Sequence, residues 1–211
     1  YGVVHPTKAG LKITEIFDGA INKEVKALWI IGEDVVQTDP NSAHVAQAMN
    51  ALDLLVVQEI FMSETAKHAD VVLPGTTFLE KDGTFTNTER RVQRVNKAAE
   101  PLPGTKPDGV IVTDMMKKLG YDQPTYDADQ VLAEIADIVP FFKGITRERL
   151  GKLGLQWPVK EDGTDTKILH DKEFKLGKGR FKYFDFKESA EIENNQKNYP
   201  LILTTSRVLQ H

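Results

Sequence analysis

Three short apolar runs, each released into polar residues, dominate the hydrophobic pattern of this chain. Ala27 to Ile31 is a continuous apolar run of strand length that ends on Gly32-Glu33-Asp34. Leu54 to Val57 is a second and ends on Gln58-Glu59, and Val71 to Leu73 is a third, stopped by Pro74. Between the first two, Asn41 or Ser42 can cap a helix whose Val45, Met49 and Leu52 recur at helical spacing, and Ser63 can cap a shorter one before the third. This β-α-β-α-β alternation predicts a parallel, right-handed unit. The fold class expected is α/β: three layers around a mainly parallel sheet with a Rossmann-like dinucleotide-binding unit, followed by an irregular α+β C-terminal segment. Strands that release polar groups at their carboxyl ends are how an open α/β sheet builds a nucleotide site.

Further along, Asp82-Gly83 is a turn signal between two extended pieces, Phe78 to Lys81 and Thr84 to Thr86. Arg91 to Val95 alternates like a half-exposed strand. Asp108 opens a helix that runs to Leu119, where Gly120 can end it. A second helix spans roughly Asp129 to Ile138, with Val131, Leu132, Ile135 and Ile138 on one face and Pro140 after its end. Residues 159–180, rich in Gly, Lys and Asp, read as a connector, Phe181 to Phe186 as another strand, and Tyr199 to Arg207 as a terminal strand followed by four residues. The two ends give the expectation of a fragment of something longer. The organisation expected is a dinucleotide-binding domain over 1–142, a connector over 143–198 and the start of a further domain at 199–211.

Composition narrows the function classes. The 211 residues have room for one large α/β domain, or a domain with an appended segment. A net charge of −4 supplies no field for gathering nucleic acid or anionic membrane, and no apolar run is long enough to span a bilayer. A cytoplasmic location is expected, with an export signal upstream left open. There is no cysteine, so this chain offers no disulfide, no thiolate ligand for zinc or an iron–sulfur cluster, and no cysteine nucleophile.

Candidate residues each carry two readings. Asp34, with Thr38 four residues on, can accept two hydrogens from a guanine edge or from ribose hydroxyls; equally, it can cap the turn into the next helix. Gln58-Glu59 repeats the geometry one strand over, as ribose ligand or as a solvated strand end. Lys81 can meet a phosphate as a point charge or stand at the surface, and no GxxxxGK[ST] loop accompanies it. Glu89-Arg90-Arg91 with Arg94 is a basic cluster without interleaved aromatics, which fits a salt-bridged strand or a contact to another domain. The histidines at 5, 44, 68, 170 and 211 show no metal-ligand spacing, and His68 with Asp70 reads as a structural pair. No catalytic and no metal-ligating residue emerges.

The same residues resemble the molybdopterin oxidoreductases related to dimethyl sulfoxide reductase. The match runs in order through Gly32-Glu33-Asp34 with Thr38, Val57-Gln58-Glu59, Thr65-Ala66 and Ala69 to Pro74. It continues through Glu80 to Phe85, Asn87 to Arg91, Lys106-Pro107-Asp108, Leu119-Gly120, Leu155 to Pro158 and Pro200 to His211, thinning over 159–198. Val35 departs from it, standing where many relatives have proline. Within the family the likeness is strongest to the catalytic (alpha) subunit of a bacterial formate dehydrogenase, with nitrate reductases, non-catalytic complex I-type relatives and a stand-alone guanine-nucleotide module as alternatives. The resemblance implies a bis(molybdopterin guanine dinucleotide) cofactor with molybdenum or tungsten. Gly32, Asp34, Thr38, Gln58, Glu59, Lys81 and Asp108 would line one guanine dinucleotide, with Asp108 suited to guanine N1–H and N2–H₂. Thr205, Ser206 and Arg207 match the opening of the family's last cofactor-binding domain. It implies further that the metal-ligating Cys or selenocysteine, the catalytic histidine and an iron–sulfur cluster belong to an upstream region. The partners implied are the other domains of the same polypeptide and an electron-transfer subunit.

Overall fold

The computed structural model describes residues 4, 6–160, 162–174 and 176–203. They fall into two compact units, one through Lys167 and one from Ile168. The first holds two three-stranded sheets.

Strands β1 (Ala27–Ile31), β2 (Leu54–Glu59) and β3 (Val71–Pro74) form a parallel sheet in sequential order. The register pairs Ile31 with Gln58 and Glu59 with Pro74, so the three polar strand ends lie at one edge. Helix α1 (Ile13–Ile21), α2 (Val35–Thr38) and α3 (Ser42–Ala51) supply the cover. Phe17 and Ala20 of α1 and Val45, Ala48 and Met49 of α3 pack in one core with Ile30, Leu55 and Val57 of the sheet. The expected cap forms, with Asn41 Oδ1 accepting the His44 amide at 3.3 Å. Helix α1 lay outside the sequence expectations, although Ile13, Ile16, Phe17, Ala20 and Ile21 have the i, i+3, i+4, i+7, i+8 spacing of a buried helical stripe. Its first turn is closed by Glu15, whose carboxylate accepts the Lys12 amide at 2.7 Å.

The second sheet is antiparallel: β4 (Gly83–Thr86), β5 (Arg91–Val95) and β6 (Leu155–Gln156). Val92 of β5 is buried with Leu132 of α5 (Ala128–Ile138), Ile145, and Leu150 of α6 (Arg147–Leu150). Arg90, at φ +67°, donates to the carbonyls of Trp157, Thr166 (2.9 Å) and Lys167 (3.2 Å), and its guanidinium lies 5.5 Å from the Trp157 ring centre. That clasp holds the strand containing Gln156 against β5 and explains how so short a β6 persists. Helix α4 (Asp108–Lys118) follows the sheets' connecting loop, its approach fixed by Lys106 N donating to the Pro74 carbonyl at 3.1 Å.

Three expectations of local structure differ from what is found. Residues 78–80 are a 3₁₀ turn, because Glu80 folds back to accept the amide (2.9 Å) and hydroxyl (3.0 Å) of Thr77. This reciprocal cap favours a helical turn over an extended one. Phe181 to Phe186 forms no strand: it has no ladder partner among the described residues, and its exposed side chains bury no apolar surface that would hold one. Of the terminal strand expected over 199–207, residues 199–203 form none and 204–207 lie outside the described residues; among the described residues the second unit's regular element is α7 (Ala190–Asn195).

Leu55 is 1% exposed at the centre of the first core. Leu55→Ala is expected to destabilise the first unit by about 2–5 kcal/mol, through lost burial and the residual cavity. Urea unfolding followed by tryptophan fluorescence measures it.

Candidate functional site

The edge where the parallel strands end carries two polar clusters, joined where the Gly32 amide donates to the Gln58 carbonyl at 2.9 Å. Gly32 sits at φ +62°, a left-handed turn that a side chain would strain, and space for a Cβ is open there. Glycine is needed for the turn out of β1.

The first cluster is built on Asp34. One of its carboxylate oxygens accepts the amide of Thr65 at 2.9 Å and the Thr65 hydroxyl at 2.6 Å, and the other accepts the Glu64 amide at 3.2 Å. Thr65 Oγ1 in turn accepts from Val36 N at 3.0 Å. The loop after β1 is thereby tied to the loop after β2. Burial alone raises the Asp34 carboxyl, but the bonds from Thr65, Glu64 and Gln37 together hold it below its usual range. Thr38 faces Glu33 instead, donating to its carboxylate at 2.8 Å. Glu59 accepts the next amide, Ile60 N, at 2.7 Å.

The second cluster is built on Asp108, the first residue of α4. Gln58 Nε2 donates to Asp108 Oδ1 at 2.8 Å, and Lys81 Nζ donates to Oδ2 and to the Thr76 carbonyl at 3.3 Å. The Lys81 and Asp108 side chains keep 27% and 40% of their exposure, so the pair is sheltered without being sealed. Burial raises the Asp108 carboxyl; the Lys81 and Gln58 hydrogen bonds and the Lys81 charge outweigh it and bring it below the ordinary value. Two buried polar atoms here have no hydrogen-bond partner: Gln58 Oε1 and Thr76 Oγ1. An orphaned buried acceptor or hydroxyl costs free energy, so its presence at a site points to a group that completes it.

The structure thus brings Gln58, Lys81 and Asp108 together, and sets Asp34 in its own knot, with Gly32 between them. Thr205, Ser206 and Arg207 lie outside the described residues. His68 and Asp70 do not pair with each other: His68 Nδ1 meets Asn50 Oδ1 at 2.8 Å, and Asp70 accepts the Leu55 amide at 2.7 Å. Sequence reasoning missed Thr76 and Gly75. A Cβ on Gly75 would fall 3.1 Å from Asp108 Oδ1, so the small residue admits the carboxylate. The signal was available, since β3 releases Gly75-Thr76 as β1 releases Gly32.

A parallel three-stranded sheet whose carboxyl edge gathers an amide, a lysine and a carboxylate makes this a mixed α/β protein. Residues 4–118 match the sequence model of the molybdopterin oxidoreductase family, and the chain belongs to that family. It is 45% identical over 96% of its length to the F420-dependent formate dehydrogenase subunit alpha of Methanocaldococcus jannaschii, and covers 30% of that protein. It is 42% identical, again over 96% of its length and 30% of the relative, to the F420-dependent formate dehydrogenase 2 subunit alpha of Methanococcus maripaludis. The chain therefore spans less than a third of these relatives. Among solved structures, acetylene hydratase from Pelobacter acetylenicus superposes with a TM-score of 0.54 at 22% identity, over 64% of this chain and 19% of that one, a likeness of fold. Among the described residues no helix is long and apolar enough to cross a membrane.

Because the Asp34 carboxyl is depressed in the folded state, its contribution is present above the ordinary carboxylate pKa and is lost as pH falls through the folded value. Asp34→Asn is expected to cost about 1 kcal/mol near neutrality, where one strong acceptor is lost. The gap from wild type should close on acidification below about pH 4. Urea midpoints across pH 3–7 measure it; a gap that stays constant would show that the carboxylate charge contributes nothing.

Proposed function

We propose that this chain is the later part of the molybdopterin guanine dinucleotide-binding domain of a formate dehydrogenase catalytic subunit. Residues 1–142 are that Rossmann-like, three-layered domain, 143–198 the connector, and 199–211 the opening of the last cofactor-binding domain. The observation that carries the reading is the Asp108 cluster: a carboxylate oriented by Gln58 and Lys81, beside Gln58 Oε1 and Thr76 Oγ1, which are buried without partners. A carboxylate can accept from both N1–H and N2–H₂ of guanine, while Gln58 Oε1 offers a further acceptor and Lys81 a donor to phosphate or carbonyl oxygen. These donors and acceptors fit a guanine nucleotide. By the family resemblance, Gly32, Asp34, Thr38 and Glu59 would serve the ribose and phosphate side, and Thr205, Ser206 and Arg207 a pterin or pyrophosphate.

When bound, the molybdenum or tungsten of the cofactor supplies the two-electron centre at which formate becomes carbon dioxide, a proton and two electrons. This chain's residues bind and orient the nucleotide arm that fixes that centre. An iron–sulfur cluster and an electron-transfer subunit, both implied by the family resemblance, would accept those electrons, with the cytoplasm as the expected location. Formate as substrate rests on the identity to the two methanogen subunits; nitrate is the competitor, to be separated by assaying both substrates.

Calorimetric titration of the cofactor-free full-length protein with GMP is expected to show binding that Asp108→Ala weakens at least about tenfold, equivalent to about 1.4 kcal/mol. The loaded protein should oxidise formate and leave nitrate unreduced. Undiminished GMP affinity in the variant, or nitrate turnover without formate turnover, overturns the corresponding half of the proposal.

A further inference from the structure

Asp108 is held by Gln58 and Lys81, and its chain neighbour is held by something else. Gly109 lies in the first turn of α4 at an ordinary φ, so conformation does not demand glycine there. Space does. A Cβ on Gly109 would fall 2.1 Å from Cε2 and 2.3 Å from Cζ of Tyr126, so the phenol ring occupies the place where any other residue would begin its side chain. A glycine inside a helix is unfavourable by itself, and here the ring takes the space that it leaves. The backbone after Tyr126 is fixed in turn, because Asp127 caps α5 by accepting the amides of Asp129 at 2.8 Å and Gln130 at 3.1 Å.

Two cavities, of about 200 and 350 Å³, meet at this ring, and Lys81, Pro107 and Tyr126 line both. The smaller reaches Asp108; the larger opens toward Lys97 and Arg147. Tyr126 is thus an aromatic partition bordering both spaces, beside Lys81, Asp82, Pro107 and Ala128, which also line both. Burial, followed by the negative charges of Asp108, Asp127 and Asp129, pushes the phenol up from its usual value. The partition stays uncharged at neutral pH and puts no second anion beside Asp108.

We propose that Tyr126 is a positioning residue for nucleotide recognition: seated on Gly109, its ring pins the first turn of α4 so that Asp108 keeps its carboxylate on Gln58 and Lys81. This rests on the reading of Asp108 as the guanine ligand. The geometry makes the ring and the missing Cβ one contact, so the two positions are coupled.

GMP titrations of the cofactor-free full-length protein between pH 3 and 8 test it on Tyr126→Phe, Tyr126→Ala, Gly109→Ala, the Tyr126→Ala/Gly109→Ala double variant and Asp108→Ala. Tyr126→Phe is expected to bind within about twofold of wild type, since the ring is retained. Tyr126→Ala and Gly109→Ala should each weaken binding about tenfold, and the double variant no more than either single change, the mark of one shared contact. The acidic limb of GMP binding, set by Asp108, should move to higher pH in both, because a carboxylate freed from its partners protonates more readily. If Tyr126→Ala does not fold, Tyr126→Leu takes its place with the same expectation. Unchanged affinity and an unmoved acidic limb in Tyr126→Ala, with binding abolished by Asp108→Ala, overturn the role of Tyr126 and leave the guanine reading standing. Undiminished binding in Asp108→Ala overturns that reading itself.

Discussion

The carboxylate of Asp108 is the constraint on which the candidate site depends. Three segments distant in sequence converge on it: the buried end of β2 through Gln58, the loop between the sheets through Lys81, and α4 through Asp108 itself. A partly buried carboxylate is stable as an anion only while donors face it. The parallel sheet, the loop and the helix are therefore held in one arrangement as long as that anion is satisfied. Gly75 permits this, because a side chain there would press on Asp108 Oδ1.

The Asp34 knot performs a different task with similar chemistry. Its oxygens are taken up by Glu64 and Thr65, so its bonds set the loop after β2 and, through Thr65 and Val36, the short α2. Capping and ligand binding were both open for this residue on spacing alone. The hydrogen bonds from Thr65 and Glu64, with the Gln37 amide beside them, favour the structural half for this residue. The contrast between the clusters is informative. Asp34 is surrounded by satisfied groups, while the Asp108 cluster leaves a buried amide oxygen and a buried hydroxyl without partners.

What the chain's letters made legible follows from which forces act locally. The three parallel strands, α3 with its Asn41 cap, α4 and α5 stand close to where apolar runs and capping residues place them, because burial periodicity and caps are written in adjacent residues. Helix α1 carried the same kind of stripe and was passed over. The 3₁₀ turn at 78–80 depended on Glu80 turning back to Thr77, a choice between two local minima that alternation does not reveal. Phe181 to Phe186 has strand composition, yet a strand needs a partner, and pairing is a property of the whole chain rather than of six residues. At the site, Gln58, Lys81 and Asp108 were legible singly. That they meet across fifty positions was not, and neither was the partnerless state of Thr76, which depends on what fails to reach it.

Tyr126 shows why that second kind of information matters for function. No motif marks it, and its neighbours Thr125 and Asp127 read as an ordinary approach to a helix. Its weight comes from a void: Gly109, in the first turn of α4 beside Asp108, leaves the space that the ring takes. A carboxylate that must read two hydrogens of a flat base has to be fixed in direction as well as in charge, because a directional contact is lost with modest rotation. Lysine supplies charge from a flexible stem and cannot fix the direction alone. The amide of Gln58, buried in the sheet, and the packing of Tyr126 on Gly109 are the rigid elements available to do so. The specificity of such a site then lies as much in the packing behind the carboxylate as in the carboxylate.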